Sequence, residues 1–466
     1  MTTPTTDQLI QWDRQFLWHP FTPMKPWLEA KDVVIIDRGQ REFLIDTQGR
    51  RYIDASSSIW CNVHGHCVPE LDAAVRDQLA KIAHSTLLGL GNVPSILLAK
   101  RLVELMRARG IALEKVFYSD DGSTAVEVAC KLAYQYWRNV QTPSPNPDAR
   151  IPIPEEWRSR FIAFGNAYHG DTLGAVSLGG IPTFHAAFKD LCFPVDCVPT
   201  PTATNDYAAH VEALLNAHPH RYAAIIIEPL VQGAGGMLMH PPGVMRTLRQ
   251  LADRHDTLLI FDEVMTAFGR TGTMFACERE AVTPDLICLS KGLTAGYMPL
   301  GATMTTQKIF DAFYADPRQG KTFFHGHTFT GHPLACAVAL ASLDLFASTN
   351  LLAHVQKMGA LMEELLAPAA RIPHVANLRR RGMIAALDLV PSPGQTFPPH
   401  WRIGGALCTA MRDRGVMLRP LADTLVIMPP LAIREEHLRT LCRVVLESLP
   451  LLPQLIADKK REFATG

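Results

Sequence analysis

The sequence predicts an α/β protein with a mostly parallel sheet, followed by a smaller α+β domain. Apolar strand-like runs alternate with helical patterns through the middle of the chain, which is typical of a parallel sheet with helices on its faces. The run at 223–227 is continuous and rich in isoleucine, as expected of a strand buried on both faces. After about residue 350, long helical stretches bracket short strands, which indicates the smaller domain.

The order of these elements places polar motifs directly after predicted strands. The patterns predict, in chain order, a hairpin at 33–53 with its turn at 46–49, strands at 116–118, 160–164, 223–227, 258–261 and 286–289, helices at 124–137 and 241–254, and then helices at 352–366 and 403–414 with strands at 383–389 and 424–428. A proline-rich stretch at 141–154 predicts a loop or insertion. Because active sites in such sheets lie at the carboxyl ends of the strands, residues that follow a strand are the first functional candidates.

Length and composition exclude several classes of protein. The chain has 466 residues, of which 47% are hydrophobic and 19% charged, so it is not a disordered chain. Its 45 basic and 45 acidic residues leave no net charge, which argues against a general nucleic-acid binder. The polar beginning of the chain and the lack of an apolar run of roughly 20 residues predict a soluble, cytoplasmic protein. The ten cysteines include no C-x-x-C pair, and we expect them to be reduced.

Two strand ends carry a recognisable chemistry. Asp262 follows the strand at 258–261, and Lys291 follows the strand at 286–289. Taken singly, the aspartate is equally typical of a helix cap or turn, and the lysine of a solvated loop. Together they would converge at one edge of the sheet. A lysine held there can react with a carbonyl group, and a carboxylate can keep a pyridine nitrogen protonated, which is the arrangement of pyridoxal phosphate (PLP) chemistry.

Two more motifs follow predicted strands. Residues 120–124 place glycine, serine and threonine at the start of a helix, where backbone N–H groups and the positive end of the helix dipole suit a phosphate. Ordinary helix capping would use the same residue types. Tyr168, within 166–172, would stack on a flat cofactor or else lie in the core beside a turn. No P-loop and no G-x-G-x-x-G run follows a strand, which argues against nucleotide-binding folds.

Two groups of metal-type side chains fall outside this pattern. The cysteines and histidines within 61–67 are spaced too tightly for a tetrahedral site, and no second cluster of suitable spacing accompanies them. The histidines within 325–332 lie in a stretch rich in glycine and threonine, which favours a structured loop. We therefore predict no metal site.

These elements, in this order, resemble the class III aminotransferases, which are PLP enzymes of fold type I. The run 262–272 is similar to the signature of that family, and the likeness extends from about Trp18 to Pro430. It implies a homodimer with its active site at the subunit interface. It also implies a large mostly parallel-sheet domain at 71–350 that binds the cofactor, and a smaller α+β domain built from both termini, 1–70 and 351–466.

The resemblance implies a role for each matching residue. The implied cofactor contacts are Lys291, which bonds PLP and transfers the proton, Asp262 at the pyridinium nitrogen, Tyr168 and Val264 on the two ring faces, and Gly122, Ser123 and Thr328 of the partner subunit at the phosphate. The implied catalytic residues are Lys291, Asp262 and Tyr168. The implied substrate contacts are Phe21, Trp60, Tyr168, Asp171, Lys291, Gly326 and Arg419. The Arg419 guanidinium is suited to a terminal carboxylate, which it can bind as a fork. For Arg270, inside the signature, structural support and substrate contact both stay open.

Within the family, the chain resembles enzymes that aminate 8-amino-7-oxononanoate in biotin biosynthesis. The stretches that carry this likeness are 18–22, 57–60, 168–172, 275–278, 324–328 and 418–420. The expected amino donor is S-adenosylmethionine. Phe21, Ile59 and His327 replace the tyrosine, tryptophan and proline of many members that use this donor, and are similar to a Bacillus-type subgroup of which part uses lysine. Ala267 replaces a glycine of the signature, which has a cost if the backbone there needs a positive φ.

Alternatives stay open at this point. The same acceptor could be aminated with lysine as donor, or the chain could be a broad ω-aminotransferase acting on diamines or ω-amino acids. A third alternative is a non-catalytic protein of the same fold. Asp262 and Lys291 argue against it, because a scaffold needs neither residue.

Overall fold

The computed structural model describes residues 4–141 and 158–464, so the predicted insertion at 141–154 lies outside the described residues except for Gln141, which ends a helix. In this part of the chain the strands are β1 (Ile36–Gln40), β2 (Phe43–Asp46), β3 (Arg51–Asp54), β4 (Lys115–Ser119), β5 (Arg160–Phe164), β6 (Val195–Val198), β7 (Tyr222–Ile227), β8 (Val231–Gln232), β9 (Leu238–Met239), β10 (Leu258–Asp262), β11 (Leu286–Leu289), β12 (Gly301–Thr305), β13 (Val375–Arg381), β14 (Ile384–Leu389), β15 (Val416–Met417) and β16 (Thr424–Ile427). The helices are α1 (Thr6–Phe16), α2 (Met24–Glu29), α3 (Ser57–Trp60), α4 (Pro69–Leu79), α5 (Val93–Arg107), α6 (Gly122–Gln141), α7 (Leu173–Leu178), α8 (Pro182–His185), α9 (Tyr207–Ala217), α10 (Val244–Arg254), α11 (Gln307–Asp311), α12 (Pro333–Ser348), α13 (Leu351–Leu366), α14 (Ile403–Arg412), α15 (Glu435–Ser448) and α16 (Leu452–Ala464).

A seven-stranded sheet in the order β4-β12-β11-β10-β7-β5-β6 forms the centre of the described chain. β12 pairs antiparallel with both of its neighbours, whereas the pairings from β11 to β6 are parallel. β7 is buried along its whole length, and its side chains contribute to the apolar clusters on both faces of the sheet. The predicted α/β architecture with a mostly parallel sheet is confirmed.

The register of this sheet brings the candidate motifs to one edge. β10 and β11 lie side by side, with Asp262 opposite Cys288. Lys291 follows shortly after β11, so it leaves the sheet at the same edge as Asp262. β4 leads at this edge into α6, which begins at Gly122. The three predicted motifs are therefore neighbours because they follow strands of one sheet.

A four-stranded sheet in the order β1-β2-β3-β15 joins the two ends of the chain. β15 pairs parallel with β3, with Val416 opposite Ile53 and Met417 opposite Asp54. The region predicted as one hairpin at 33–53 contains two, because β1 also pairs with β2, and the predicted turn connects β2 to β3. β13, β14 and β16 form a separate antiparallel sheet. The division at residues 70 and 350 stays a prediction.

One helical stretch of the described residues, 435–464, has the length and apolar composition of a membrane span. The helices Pro333–Ser348 and Leu351–Arg371 pass the same test only when they are counted together, and they are bent by 71° relative to each other. In the first stretch Leu438 and Leu441 are fully buried in the main apolar cluster. Helices of a protein core pass the same test of length and composition.

Candidate active site

Asp262 and Lys291 leave the sheet side by side at the carboxyl ends of β10 and β11. Lys291 begins a short 3-10 segment with a left-handed backbone, at φ 45°, and its side chain is half-buried. Burial lowers the pKa of Lys291, and the nearby charges of Asp262 and Glu228 oppose that shift. A lowered pKa increases the fraction of neutral amine, which is the form that attacks a carbonyl carbon.

A buried hydrogen bond joins Asp262 to His169. His169 Nδ1 lies 2.8 Å from Asp262 Oδ2, and the backbone N–H of Val264 donates to Asp262 Oδ1 at 3.0 Å. Because a carboxylate only accepts hydrogen bonds, the hydrogen lies on Nδ1 of the imidazole. The Nε2 atom of His169 is buried without a partner among the described residues. His169 has no role among the sequence predictions, although its place directly after Tyr168 was an available signal.

Glu228 is a second buried carboxylate near this pair, and sequence analysis missed it. It follows β7 and accepts hydrogen bonds from the backbone N–H groups of Tyr168, at 3.0 Å, and Gly233, at 2.8 Å. Burial raises the pKa of Glu228 to about 7, and the neighbouring His169 acts in the opposite direction. Glu228 therefore fixes the backbone that carries Tyr168, and in its ionised form it adds negative charge beside Lys291.

The start of α6 is shaped by small residues. A Cβ atom added to Gly122 would lie 2.5 Å from Cγ1 of Val264, so glycine lets this turn approach the end of β10. Ser123 Oγ accepts from the N–H of Thr172 at 3.0 Å, which connects the turn to the segment after β5. Asp121 caps the helix by accepting from a backbone N–H at 2.8 Å. The first N–H groups of a helix have no partner within it, so this end also suits an anion.

Residues Ser57–Trp60 (α3) form a single left-handed turn beside Lys291. Their φ values are 47°, 47°, 72° and 69°, and the N–H of Trp60 donates to the carbonyl one turn earlier at 2.8 Å. Left-handed geometry costs each such residue about 1–2 kcal/mol, so contacts elsewhere must hold the turn. Asp54 accepts from the N–H of Ser58 at 2.9 Å and from its hydroxyl at 2.8 Å. The turn brings the Trp60 ring centroid to 5.1 Å from Lys291 Nζ.

Arg270 supports this turn from the protein interior. It is buried, and its guanidinium donates to the carbonyl oxygens of Pro429, at 2.7 Å, and Asn62, at 3.0 Å, and to Ser57 Oγ at 3.3 Å. Burial lowers the pKa of Arg270 to about 10. Of the two roles that the sequence left open, the geometry favours structural support, because the fork of Arg270 already binds backbone and hydroxyl oxygens.

Ala267 carries no left-handed strain. Ala267 is buried and its φ is not positive, whereas the next two residues, Phe268 and Gly269, have φ values of 53° and 84°. Alanine in place of glycine would cost conformational free energy at this position only if its φ were positive. The departure from glycine is therefore compatible with the observed backbone.

Tyr168 and Asp171 form a local pair. The Tyr168 hydroxyl donates to Asp171 Oδ2 at 2.6 Å. Burial raises the pKa of Tyr168, and the hydrogen bond to Asp171 raises it further. The phenol is therefore a neutral donor at ordinary pH, and the bond sets the orientation of its ring.

Arg419 and Phe21 meet at the edge of the left-handed turn. Arg419 follows β15, and its backbone N–H donates to Ser56 Oγ at 3.1 Å. Its guanidinium donates to the carbonyl oxygen of Phe21 at 3.3 Å, and both side chains are exposed. The pairing of β15 with β3 thus joins a C-terminal arginine to the N-terminal segments that carry Phe21 and Trp60.

Gly326 and Thr328 are both exposed, and among the hydrogen bonds of the described residues none joins Thr328 to Gly122 or Ser123. Their segment is connected to the start of α6 by His327, whose Nδ1 lies 3.4 Å from Asp120 Oδ2.

The metal-type groups singled out in the sequence take part in hydrogen bonds within the protein. His66 lies 3.0 Å from Asp54 Oδ2, and His64 lies 3.0 Å from the Ser342 hydroxyl. His325 lies 2.9 Å from Lys131 Nζ. Within residues 4–141 and 158–464, no group of three His, Cys, Asp or Glu side chains is placed to hold a metal ion.

The chemistry of this edge fits pyridoxal 5′-phosphate. A half-buried lysine suits its aldehyde, and a buried carboxylate suits its pyridine nitrogen. The helix start at Gly122 suits its phosphate. The close packing of Gly122 on Val264 brings this helix start next to the strand end that carries Asp262.

Comparisons with known proteins agree with this fit. The class-III aminotransferase family matches residues 28–449. An adenosylmethionine-8-amino-7-oxononanoate aminotransferase of Geobacter sulfurreducens is 49% identical over 448 residues, which are 93% of this chain and 95% of that protein. The crystal structure of the Methanocaldococcus jannaschii protein of the same name has a TM-score of 0.89 at 38% identity, and the match covers 95% of this chain and 99% of that one. The structure of a PLP-bound amine transaminase from an uncultivated Pseudomonas species has a TM-score of 0.84 at 32% identity, and the match covers 93% of this chain and 98% of that one. The chain therefore belongs to the class-III aminotransferases, PLP-dependent transaminases of fold type I.

Proposed function

We propose that this transaminase converts 8-amino-7-oxononanoate to 7,8-diaminononanoate, a step of biotin biosynthesis, with S-adenosylmethionine as the amino donor. The observation that carries the proposal is the 49% identity, over nearly the whole chain, to a relative named for this acceptor and donor. Arg419, which the fold joins to the turn that carries Trp60, supports an acceptor with a carboxylate at its far end. We expect the enzyme to act in the cytoplasm.

Bound PLP supplies the carbonyl carbon that receives the amino group and a ring that withdraws electrons from the reacting carbon. Lys291 would hold the cofactor through Nζ. In its neutral form, Nζ would also accept the proton that leaves the substrate carbon and donate it again during the transfer. The lowered pKa of Lys291 supports this role, because the amine must be unprotonated to accept a proton.

The remaining proposed cofactor contacts orient the ring. Asp262 would accept from the protonated ring nitrogen, while His169 donates to its other side and fixes its orientation. Tyr168 would cover one ring face and Val264 the other. Gly122 and Ser123 would bind the phosphate through the N–H groups at the start of α6.

The proposed substrate contacts divide into a charged and an apolar part. Arg419 would bind the terminal carboxylate of the acceptor, and Phe21 and Trp60 would line its hydrocarbon chain. Asp171, which holds the Tyr168 hydroxyl, would set the polar side of the pocket. Gly326 would contact substrate from the exposed segment that it occupies.

A homodimer is part of the proposal, with Thr328 of the partner subunit completing the phosphate site. Exposed apolar side chains concentrated in two segments, 79–97 and 324–329, support it, since exposed apolar surface of this kind marks interfaces. They are Leu79, Ile82, Leu88, Leu90, Val93, Ile96, Leu97, Phe324 and Phe329. His84 and Phe329, whose ring centroids are 5.0 Å apart, connect the two segments.

Sedimentation of the wild type and of a double variant, Val93→Lys with Ile96→Lys, tests the proposed dimer. We expect the wild type to be a dimer and the double variant to be a monomer. A monomeric wild type would refute the dimer.

Two other activities compete with this proposal. Ile59 is 45% exposed beside Trp60, and as an isoleucine it offers no indole at this position to stack on adenine, which keeps lysine open as donor. The likeness to an amine transaminase keeps a broad ω-aminotransferase open. The test is product formation from 8-amino-7-oxononanoate with each donor, using Lys291→Ala as the inactive control. Formation of product with S-adenosylmethionine supports the proposal. Formation of product with lysine but not with S-adenosylmethionine would mean that lysine is the donor. Diamine turnover without any 7,8-diaminononanoate refutes it.

A further inference from the structure

We propose that Phe184 is a specificity residue for the acceptor, forming with Phe21 the apolar wall beside the methylene chain between the reacting ketone and the carboxylate. The inference rests on the proposed function, which names the acceptor. Phe184 belongs neither to the sequence motifs nor to the predicted site residues.

Phe184 connects the two ends of the proposed acceptor site. Its ring centroid lies 5.2 Å from that of Phe21, with the planes at 73°, and 6.2 Å from that of Tyr168, with the planes at 83°. Both are edge-to-face contacts within the range of favourable aromatic pairs. Tyr168 is the proposed ring cover of the cofactor, and Phe21 is the residue whose carbonyl binds Arg419. Phe184 thus lies between the reacting end and the carboxylate end.

The position of Phe184 is fixed by its neighbour His185. The His185 side chain is buried, and its ring lies nearly parallel to that of Tyr168, at 6.4 Å and 12°. The N–H of Ile181 donates to His185 Nδ1 at 3.2 Å, which closes the single turn of α8. A Cβ on Gly179 would lie 2.0 Å from Cε1 of His185, so the glycine makes room for the imidazole. The short helix is therefore anchored at the residue next to Phe184.

The chemistry of this wall suits a saturated chain. Phe184 is half-buried and Phe21 exposed, so both rings keep apolar surface available for a ligand. Burial of one methylene group against such surface multiplies affinity by about fourfold. A longer chain buries more methylene groups against the wall and so gains more affinity than a shorter one. Phe184 would therefore select for chain length while leaving the donor reaction unaffected.

Binding of simple carboxylates to the PLP-loaded enzyme tests the inference without turnover. Nonanoate and hexanoate share a carboxylate for Arg419 and differ in chain length. In wild type we expect calorimetry to show nonanoate binding at least about tenfold more tightly than hexanoate, and in Phe184→Ala a ratio below about threefold. Phe184→Leu, which keeps an apolar side chain, should keep most of the wild-type ratio of nonanoate to hexanoate affinity. Phe188→Ala is the matched control, because Phe188 is 47% exposed and has no ring contact with Phe21 or Tyr168 among the described residues.

Kinetics separate a specificity role from a structural one. Phe184→Ala should raise the KM for 8-amino-7-oxononanoate about tenfold, with kcat and the rate of the donor half-reaction within about twofold of wild type. The inference would be overturned if Phe184→Ala bound nonanoate and hexanoate more weakly by the same factor. A slower donor half-reaction with an unchanged KM for the acceptor would also overturn it. If the alanine variant loses thermal stability, Phe184→Gln decides the question, because its polar side chain of similar length should also lower the ratio of nonanoate to hexanoate affinity, and an unchanged ratio would overturn the inference. A wild type that aminates the acceptor while Phe184→Ala leaves the ratio unchanged refutes only this inference; a wild type that makes no product refutes the proposed function.

Discussion

His169 Nδ1 lies 2.8 Å from Asp262 Oδ2, and both side chains are buried at the edge of the sheet that carries Lys291. We expect His169→Phe to lower kcat/KM by about 10- to 100-fold, the effect of losing one hydrogen bond to a charged group. Asp262 would lose the donor that orients it, and the affinity for PLP would fall in parallel. Steady-state kinetics and equilibrium titration with PLP measure the two effects.

The conservative variant His169→Asn serves as the control for this prediction. An asparagine amide places an N–H group close to the position of Nδ1, so it can still donate to Asp262. It should recover a large part of the lost activity. Wild-type kinetics for His169→Phe would show that the hydrogen bond has no part in catalysis.

The close approach of Gly122 to Val264 yields a second prediction. A methyl group at Gly122 would lie 2.5 Å from Val264 Cγ1, so Gly122→Ala must displace the valine or the start of α6. Overpacking of this kind costs about 1–3 kcal/mol, and we expect the dissociation constant for PLP to rise about tenfold or more. Gly405→Ala is the control, because its nearest contact, Arg402 Cβ, is 3.9 Å away. Equal PLP affinity in the two variants would contradict the proposed phosphate site.

The left-handed turn predicts a gain in stability. Ile59 has a φ of 72° and is 45% exposed, so replacement by glycine relieves strain and loses little packing. We expect Ile59→Gly to raise the free energy of unfolding of the cofactor-free protein by about 1 kcal/mol, as followed by denaturant titration.

Ile36→Gly is the matched control for this experiment. Ile36 is 42% exposed and lies in β1 without a positive φ. Glycine in a strand lowers stability by about 0.5–1 kcal/mol, so the two variants should change in opposite directions. A loss of stability in Ile59→Gly would mean that the turn is not strained.

The contact between the two ends of the chain predicts a dependence of stability on pH. Burial would raise the pKa of Glu42, but hydrogen bonds from His437 of α15 and from Arg434 outweigh it and hold the pKa below its ordinary value of 4.5. A lowered carboxyl pKa stabilises the fold above the unfolded value and ceases to do so as pH falls through the folded value. We expect Glu42→Gln to be less stable than wild type at neutral pH by about 1–2 kcal/mol, with the difference shrinking below about pH 4.5. A constant difference across that range would contradict the assignment.

Much of the fold and part of the site follow from local sequence. The continuous apolar run of β7 and the strand ends at Asp262 and Lys291 indicate a parallel sheet with a reactive edge, because buried strands and their termini leave a local pattern. β12 is absent from the prediction because Gly301–Thr305 contains glycine and threonine and no long apolar run. The second pairing within 33–53 was missed for a similar reason, since β1 is mostly polar and exposed.

The remaining parts of the site depend on contacts between distant segments. Nothing local to Ser57–Trp60 signals four left-handed residues, because the run contains no glycine and is held by Asp54 and Arg270. The pairing of His169 with Asp262 joins segments from two different strands. Arg419 reaches Phe21 only because β15 pairs with β3. Such relationships come from tertiary packing, which a single sequence does not display.

The central claim is that this site transfers an amino group to 8-amino-7-oxononanoate, and a pair of half-reactions tests it most directly. The absorbance spectrum of the PLP-loaded enzyme is recorded after addition of S-adenosylmethionine, or separately of lysine, and again after addition of the acceptor. We predict that S-adenosylmethionine converts the bound cofactor to its aminated form and that 8-amino-7-oxononanoate restores the original spectrum. A cofactor that either donor aminates but that 8-amino-7-oxononanoate fails to restore would contradict the claim.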